Sequence, residues 1–493
     1  MHFLASSTPT ILTIVFLVVA IGLALSFEFV KGFHDTANAV ATVIYTNTLS
    51  PTVAVVWSGI WNLIGVLVSS GAVAYTIVAL LPVELVINVG STAGFAMVFS
   101  LLLSAIIWNV GTWYLGLPAS SSHTLIGSIM GVGLANSLMS GAHSFGEGVN
   151  WMKAKEVGMY LIISPAIGFC AAALLLLLCK AMIKNPALYK APEGKDRPPL
   201  WIRGLLVLTC TGVSAAHGSN DGQKGMGLIV LILVGILPGM YAVNMNASHE
   251  EIQHIASSSQ VLAVSFEKRA NGMTIDEGTK TLSNYLKNGE ALSEKIYASL
   301  SRKCVNVHNA LKDQDAFQNM DGMERRNLRT DLYLIAGTIT KLDKAGKLDS
   351  SQKEADLEFS NSADKLTKYI PPWVKYAVAL ALGLGTMIGW KRIVVTVGEK
   401  IGKQHMTYAQ GASAELVAMT TIIIADHFGM PVSTTHVLSS GVAGTMAANH
   451  SGLQMSTVRN ILLAWVLTLP VCIFLGALLF AFGLNILVLL GRR

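Results

Sequence analysis

Charge is what this chain has little of. Of its 493 residues only 13% are Asp, Glu, Lys or Arg, about half the share of a soluble domain. So few charges cannot cover a water-facing surface, and a mean hydropathy of +0.54 agrees that lipid is the expected solvent. The net charge of +6 is small for the length, and no basic stripe is interleaved with aromatics, so nucleic acid is not an expected partner. Cysteine is also sparse. Cys170, Cys179, Cys210, Cys304 and Cys472 show no metal-type spacing, and neither a disulfide framework nor a structural metal site is expected. The first ten residues hold no Lys or Arg. The basic start of a signal peptide is missing, and Ile11–Val30 reads as a retained first span.

What is present is a series of apolar runs, at 11–30, 52–81, 93–117, 119–139, 157–179, 202–217, 225–243, 373–390, 411–428, 431–448 and 461–490. A bilayer forces each backbone to satisfy itself, so the expected fold is an all-α polytopic membrane protein of about 10–12 transmembrane or re-entrant helices. The stretches 36–46, 119–139, 202–217 and 431–448 are short or broken by polar residues, as segments facing protein or a cavity are. Trp151, Trp201, Trp373 and Trp390 end their runs, as interfacial anchors do.

Two charged regions interrupt the pattern. The loop 183–201 carries Lys184, Lys190, Lys195 and Arg197 and is expected on the cytoplasmic side. Residues 244–370 hold more than half of all charges, nearly balanced in sign, with no proline. They read as a soluble helical insert without a catalytic motif, closed by Pro371-Pro372. The expected organisation is membrane repeat 1 over 1–182, the basic loop 183–201, the start of repeat 2 over 202–243, the insert 244–370, and the rest of repeat 2 over 371–493.

The word "repeat" rests on two motif pairs. Gly116-Leu117-Pro118-Ala119-Ser120-Ser121-Ser122-His123 matches Gly429-Met430-Pro431-Val432-Ser433-Thr434-Thr435-His436. Upstream, Gly32-Phe33-His34-Asp35-Thr36-Ala37-Asn38 matches Gly218-Ser219-Asn220-Asp221-Gly222-Gln223-Lys224 more faintly. Asp35 precedes His123 by 88 residues and Asp221 precedes His436 by 215; the excess of 127 is the length of the insert. Duplicated halves with broken helices are the pattern of secondary transporters, with sites near the midplane. The basic loop ahead of the second half argues for an inverted relation, while the basic end Arg492-Arg493 argues against it.

Gly-x-Pro ends one helix, and the hydroxyl cluster opens another, expected to begin near Thr124 or Val437. Free N–H groups and the positive dipole end favour an anion there, and three hydroxyls add donors without charge. Plain capping explains Ser and Thr at one such start equally well; two matched copies favour a ligand site. His123 and His436 could orient the hydroxyls, bond the anion or carry a proton; satisfying a helix end is the other explanation. Asp35 and Asp221 lie beside apolar runs, where an ionisable residue is by default functional. Asn38 and Lys224 follow them by three residues, on the same helical face. Glu28 and Glu415 are further acids in apolar runs, and each fits a helix end near headgroups as well as a functional role.

With these motifs the chain resembles the PiT inorganic phosphate transporter family, and within it the bacterial low-affinity transporters. The family carries two Gly-x-Asn-Asp-x-x-Asn-Ala and two Gly-x-Pro-x-Ser-Thr-Thr-His signatures. Here His34 stands where the first has Asn, and the second departs after Asn220-Asp221. The resemblance implies phosphate symport in a bacterial plasma (inner) membrane. For the bacterial branch it implies proton coupling, with phosphate carried as a neutral complex with Mg2+, Ca2+ or a similar divalent metal. A bare dianion is costly in a low dielectric, and pairing with the metal cancels its charge. Asp35 and Asp221 could then contact the metal through hard oxygen ligands. The expected phosphate contacts are Ser120, Ser121, Ser122, His123, Thr124, Ser433, Thr434, Thr435, His436, Asn38, Asn220 and Gln223. The expected coupling residues are Asp35, Asp221, Lys224 and Glu415. In sodium-coupled relatives Asn is typical at the position of Lys224, so a fixed ammonium there could fill a cation site; snorkelling to water is the alternative. No resident cofactor is expected, and the oligomeric state is left open, a homodimer being one option. A sodium-coupled phosphate or sulfate symporter of the same fold, a membrane-embedded enzyme and a channel are the other readings. The enzyme lacks an assembled nucleophile and base.

Overall fold

A computed structural model describes residues 11–78, 92–139, 149, 151–194, 196–288 and 291–491. Residues 79–81 of one expected run, Lys195 and Arg492-Arg493 lie outside the described residues. Among the described residues there is no strand, only an isolated bridge between Gly402 and Leu453.

The first half runs through α1 (Ile11–Asp35), α2 (Ala37–Tyr45), α3 (Pro51–Val68), α4 (Ala72–Val78), α5 (Thr92–Tyr114), α6 (Ser121–Met139) and α7 (Trp151–Met182). After the basic loop comes α8 (Leu200–Ile236), then α9 (His249–Arg269), α10 (Thr279–Asn288), α11 (Glu294–Leu311), α12 (Gly322–Lys344) and α13 (Lys353–Thr367). The chain closes with α14 (Pro372–Thr386), α15 (Lys391–Glu399), α16 (Tyr408–His427), α17 (Thr434–Ala448) and α18 (Met455–Gly491).

Six helices among the described residues are long and apolar enough to cross a membrane, or seven if α14 and α15, bent by 64°, form one span. That is fewer than the expected number, for two reasons. The stretches 202–217 and 225–243 are not separate: α8 passes through the Asn220-Asp221 motif unbroken for 37 residues. The helices α6, α16 and α17 also fall out of the count: α17 has only 15 residues where about 20 are needed to span, and α6 and α16, with 19 and 20, are broken by polar residues.

The halves are interleaved. Helix α1 packs on α14 and α8 packs on α3; likewise α6 packs on α18 and α17 on α7. Glycine permits the first exchange. A Cβ on Gly32 would lie 2.4 Å from the Leu382 carbonyl oxygen, and one on the matching Gly218 would lie 2.1 Å from that of Asn62. Lipid gives apolar helices no reason to associate, so close backbone approach at small residues supplies the contact.

Helices α9–α13 enclose their own hydrophobic cluster, including Phe266, Leu300, Ile335 and Phe359. Capping boxes start α9 at Ser248 with Glu251 and α12 at Asp321 with Glu324. Arg329 ties both ends of this bundle, donating to the carbonyls of Ala242 at 2.9 Å and Thr367 at 2.6 Å.

Candidate functional site

The two Gly-x-Pro segments fold alike. Helix α5 ends at Gly116 (φ 68°) and α16 at Gly429 (φ 63°). The Leu117 N–H donates to the Thr112 carbonyl at 2.9 Å, and the Met430 N–H to that of Ala425 at 2.8 Å. These are Schellman closures, which need a left-handed residue. Helices α6 and α17 then open at Ser121 and Thr434, three residues before the expected starts near Thr124 and Val437. The cause is the cap: the His123 N–H donates to Ser120 Oγ, and the His436 N–H to Ser433 Oγ, each at 3.2 Å. Ser120 and Ser433 therefore satisfy orphan donors, and the Thr124 hydroxyl bonds back to the Ser120 carbonyl at 3.0 Å.

The next two hydroxyls of each motif turn to the aspartates. Ser121 Oγ donates to Asp35 Oδ2 at 2.9 Å, and its match Thr434 Oγ1 to Asp221 Oδ2 at 3.2 Å. Thr435 Oγ1 crosses to Asp35 Oδ1 at 2.8 Å. Its match, Ser122, instead accepts from Lys224 Nζ at 2.6 Å. That ammonium also donates to Asp221 Oδ1 and, at 3.2 Å, to the Val432 carbonyl. Lys224 is 1% exposed, so it does not snorkel. Asn38 Nδ2 donates to Thr435 Oγ1 at 3.1 Å and to Thr434 Oγ1 at 3.3 Å.

Between the aspartates lies His217, which the sequence reading did not single out. Its Nε2 is 3.1 Å from Asp221 Oδ2 and 3.8 Å from Asp35 Oδ2, and its Nδ1 is 2.7 Å from Asn62 Oδ1. The signal was available: His217 stands four residues before Asp221, on the same face of one helix. One ligand atom each from Asp35, His217 and Asp221 falls within 4.8 Å of the others, and all three residues are buried. The first half adds His34, whose Nδ1 is 3.2 Å from Asp35 Oδ1.

His123 and His436 stack at 4.6 Å between ring centroids, and Trp465 lies 3.9 Å beyond His436. Both imidazoles are buried. His123 Nδ1, His436 Nε2 and Asn220 Oδ1 have no hydrogen-bond partner among the described residues. Asn220 Nδ2 donates to the Met430 carbonyl at 3.3 Å.

Two expected site residues stand apart. Gln223 donates to Asp426 Oδ1 at 2.5 Å and accepts from the Val73 N–H at 2.9 Å. It follows Asp221 by two residues, so it points to the other side of α8. Glu415 accepts from the hydroxyls of Thr42 and, at 2.5 Å, Thr209. Thr209 lies about 18 Å along the α8 axis from Asp221.

A buried cluster of two carboxylates, one ammonium and several hydroxyls, set where helix starts from two matched segments meet inside a membrane bundle, is the arrangement expected of a membrane transporter's candidate site. The comparisons agree. Residues 31–476 match the phosphate transporter family. The chain is 42% identical to the low-affinity inorganic phosphate transporter PitA of Escherichia coli (strain K12), covering 96% of this chain and 97% of that one. It is 43% identical to the low-affinity inorganic phosphate transporter of Buchnera aphidicola subsp. Acyrthosiphon pisum, covering 94% and 95%. A solved sodium-dependent phosphate transporter shares the fold, with a TM-score of 0.51, 18% identity, and coverage of 95% and 98%. The chain belongs to the phosphate transporter family and is a PiT-type phosphate transporter, not an enzyme. Its place is the bacterial plasma (inner) membrane.

Proposed function

We propose that the protein is a symporter that takes up phosphate as a neutral divalent metal–phosphate complex, driven by the proton gradient through two inverted repeats. One observation carries this reading: Lys224 places a fixed ammonium on Asp221, at the position where the first half has the neutral Asn38. A resident positive charge disfavours a second cation at Asp221. Asp35 has no lysine; its neighbours are the hydroxyls of Ser121 and Thr435 and the imidazoles of His34 and His217. Asp35 is thus the carboxylate left for the travelling metal, with His217 at hand as a further ligand.

Phosphate oxygens would be met by Ser122, Thr434 and Thr435 and by the starts of α6 and α17. Anion binding at helix starts costs little, because the N–H groups are already in place. Ser120 and Ser433 act through the caps that hold those starts. The stacked His123 and His436 offer one open ring nitrogen each. The bundle 244–370, with its separate core, is proposed as a soluble module on the membrane surface.

The test is phosphate uptake into proteoliposomes, with pH gradient, sodium and divalent metal varied independently. Uptake is expected to follow the pH gradient and the divalent metal and to ignore sodium. Sodium-driven uptake without a pH gradient would overturn the reading.

A further inference from the structure

A second ionisable pair is buried in the bundle, outside the cluster of aspartates and hydroxyls. Glu28 and Lys31, on α1, are 0% and 1% exposed. Lys31 Nζ donates to Glu28 Oε1 at 2.8 Å and to the backbone carbonyl of Asp221 at 2.6 Å. The pair therefore belongs to the first half by sequence and touches the binding residue of the second. Gly225 makes the approach possible: a Cβ there would sit 2.4 Å from the Glu28 carboxyl carbon. Counted from the two aspartates, Lys31 is the counterpart of His217, four residues ahead in each case.

A pair kept only to clamp two helices would have its lone pairs satisfied, because an unmet buried acceptor is costly. Glu28 Oε2 has no hydrogen-bond partner among the described residues. The charged groups facing Glu28 are Lys31 on its own helix and Asp221 and Lys224 on α8. Helix α5 brings no charged residue, and the one on α14, Lys375, is bonded to the Ser69 carbonyl at 3.1 Å. Asp221 has Lys224 and the titratable imidazole of His217 as its own side-chain partners, so the carboxylate that offsets Lys31 is Glu28.

We propose that Glu28 is the proton-binding carboxylate of the transport cycle, and that Lys31 passes its charge state to the phosphate site. This rests on the proton-coupled reading above. With Glu28 ionised, the pair is neutral. When hydronium on the outer side gives its proton to Glu28, water is left behind and the carboxylate becomes a carboxylic acid. Lys31 keeps its own proton, and its positive charge, held against the Asp221 carbonyl, is no longer offset. The site then binds the phosphate oxygens of the complex more tightly. The coupling is reciprocal: departure of phosphate inside lowers the proton affinity of Glu28 by the same factor, and the proton leaves to cytoplasmic water. Glu28 is thus a proton carrier and Lys31 a positioning residue.

The experiment compares wild type, Glu28→Gln, Lys31→Gln and the double variant as purified full-length protein. Binding of radiolabelled phosphate is measured below and above neutrality, and accumulation is measured in proteoliposomes. Comparing variants at each pH cancels the titration of phosphate itself. At the higher pH, Glu28→Gln is expected to bind phosphate about tenfold tighter than wild type, the effect of one unscreened charge several ångströms away. Its affinity should match wild type at the lower pH, and it should lose accumulation against a gradient. Lys31→Gln and the double variant are expected to bind weakly at both pH values. The opposite signs matter, because damage to a merely structural clamp weakens binding in both single variants. Single variants that shift affinity in the same direction overturn the proposal. So does Glu28→Gln accumulation that still follows the pH gradient as wild type does. If wild-type uptake ignores the gradient, the proton-coupled reading itself falls.

Discussion

Asn38 and Lys224 occupy matching positions in the two halves, and each reaches the hydroxyls of the other half. Asn38 Nδ2 bonds Thr434 and Thr435, and Lys224 Nζ bonds Ser122. The contact is symmetric in place and asymmetric in charge. That asymmetry sets the first prediction. Lys224→Asn makes the halves alike at this position and exposes Asp221 to a mobile cation. Proton-driven uptake is expected to fall about tenfold or more, the worth of one charge-assisted hydrogen bond, and the remainder to become sodium-stimulated. Uptake with and without sodium checks this; unchanged proton dependence would refute the role given to Lys224.

The two aspartates are expected to differ when neutralised. Asp221→Asn leaves the buried Lys224 ammonium without its counter-charge, a loss of about 3–5 kcal/mol. The protein should express poorly, and Asp221→Asn with Lys224→Asn should restore expression without uptake. Asp35→Asn strands no lysine, because its partners are hydroxyls and imidazoles. It should express normally and fail to transport. Thermal unfolding in detergent, beside uptake, separates the two outcomes.

Gly429→Ala and Gly116→Ala place a Cβ on left-handed residues, at φ 63° and 68°. Each is expected to cost about 1–2 kcal/mol and to displace the hydroxyl-bearing start of α17 or α6. Gly116→Ala should be the worse for transport, since its Cβ would also sit 3.3 Å from the backbone carbonyl oxygen of Arg392, whereas that of Gly429→Ala meets Ala72 Cβ at an ordinary 3.4 Å. The measurement is unfolding temperature together with phosphate affinity.

In the bundle 244–370, burial pushes the Asp356 carboxyl up to about 6, against a weaker opposing effect of Arg269. Neither carboxylate oxygen has a hydrogen-bond partner among the described residues. The folded state thus holds this proton more tightly than the unfolded chain, whose ordinary value is 3.8. Stability is fullest at acid pH, falls as pH rises through that window, and levels off above it. Asp356→Asn should remove this fall and stabilise the bundle near neutrality by about 1–3 kcal/mol. Hydrogen exchange of the α13 amides in the purified full chain, followed from acid to neutral pH, checks both statements.

The sequence by itself determined what local rules govern. Hydropathy and scarce charge marked a helical membrane protein. The matched Gly-x-Pro segments marked paired helix stops and starts, because a left-handed glycine, a proline and a capping Ser act within a few residues. The aspartates were legible as ionisable groups beside apolar runs, while Lys224 stayed open between a cation site and snorkelling to water until the structure buried it. Tertiary structure decided who meets whom. Each half lends helices to the other, α1 to α14 and α8 to α3, so Thr435 bonds Asp35 and Lys31 reaches Asp221 across sequence gaps of 400 and 190 residues. It also fused two expected segments into α8, turned Gln223 and Glu415 away from the aspartates, and set His217 between them. Such pairings depend on how closely backbones approach at Gly32, Gly218 and Gly225. Lipid-solvated helices have no hydrophobic pattern that names their partner, so only the packed bundle could reveal it.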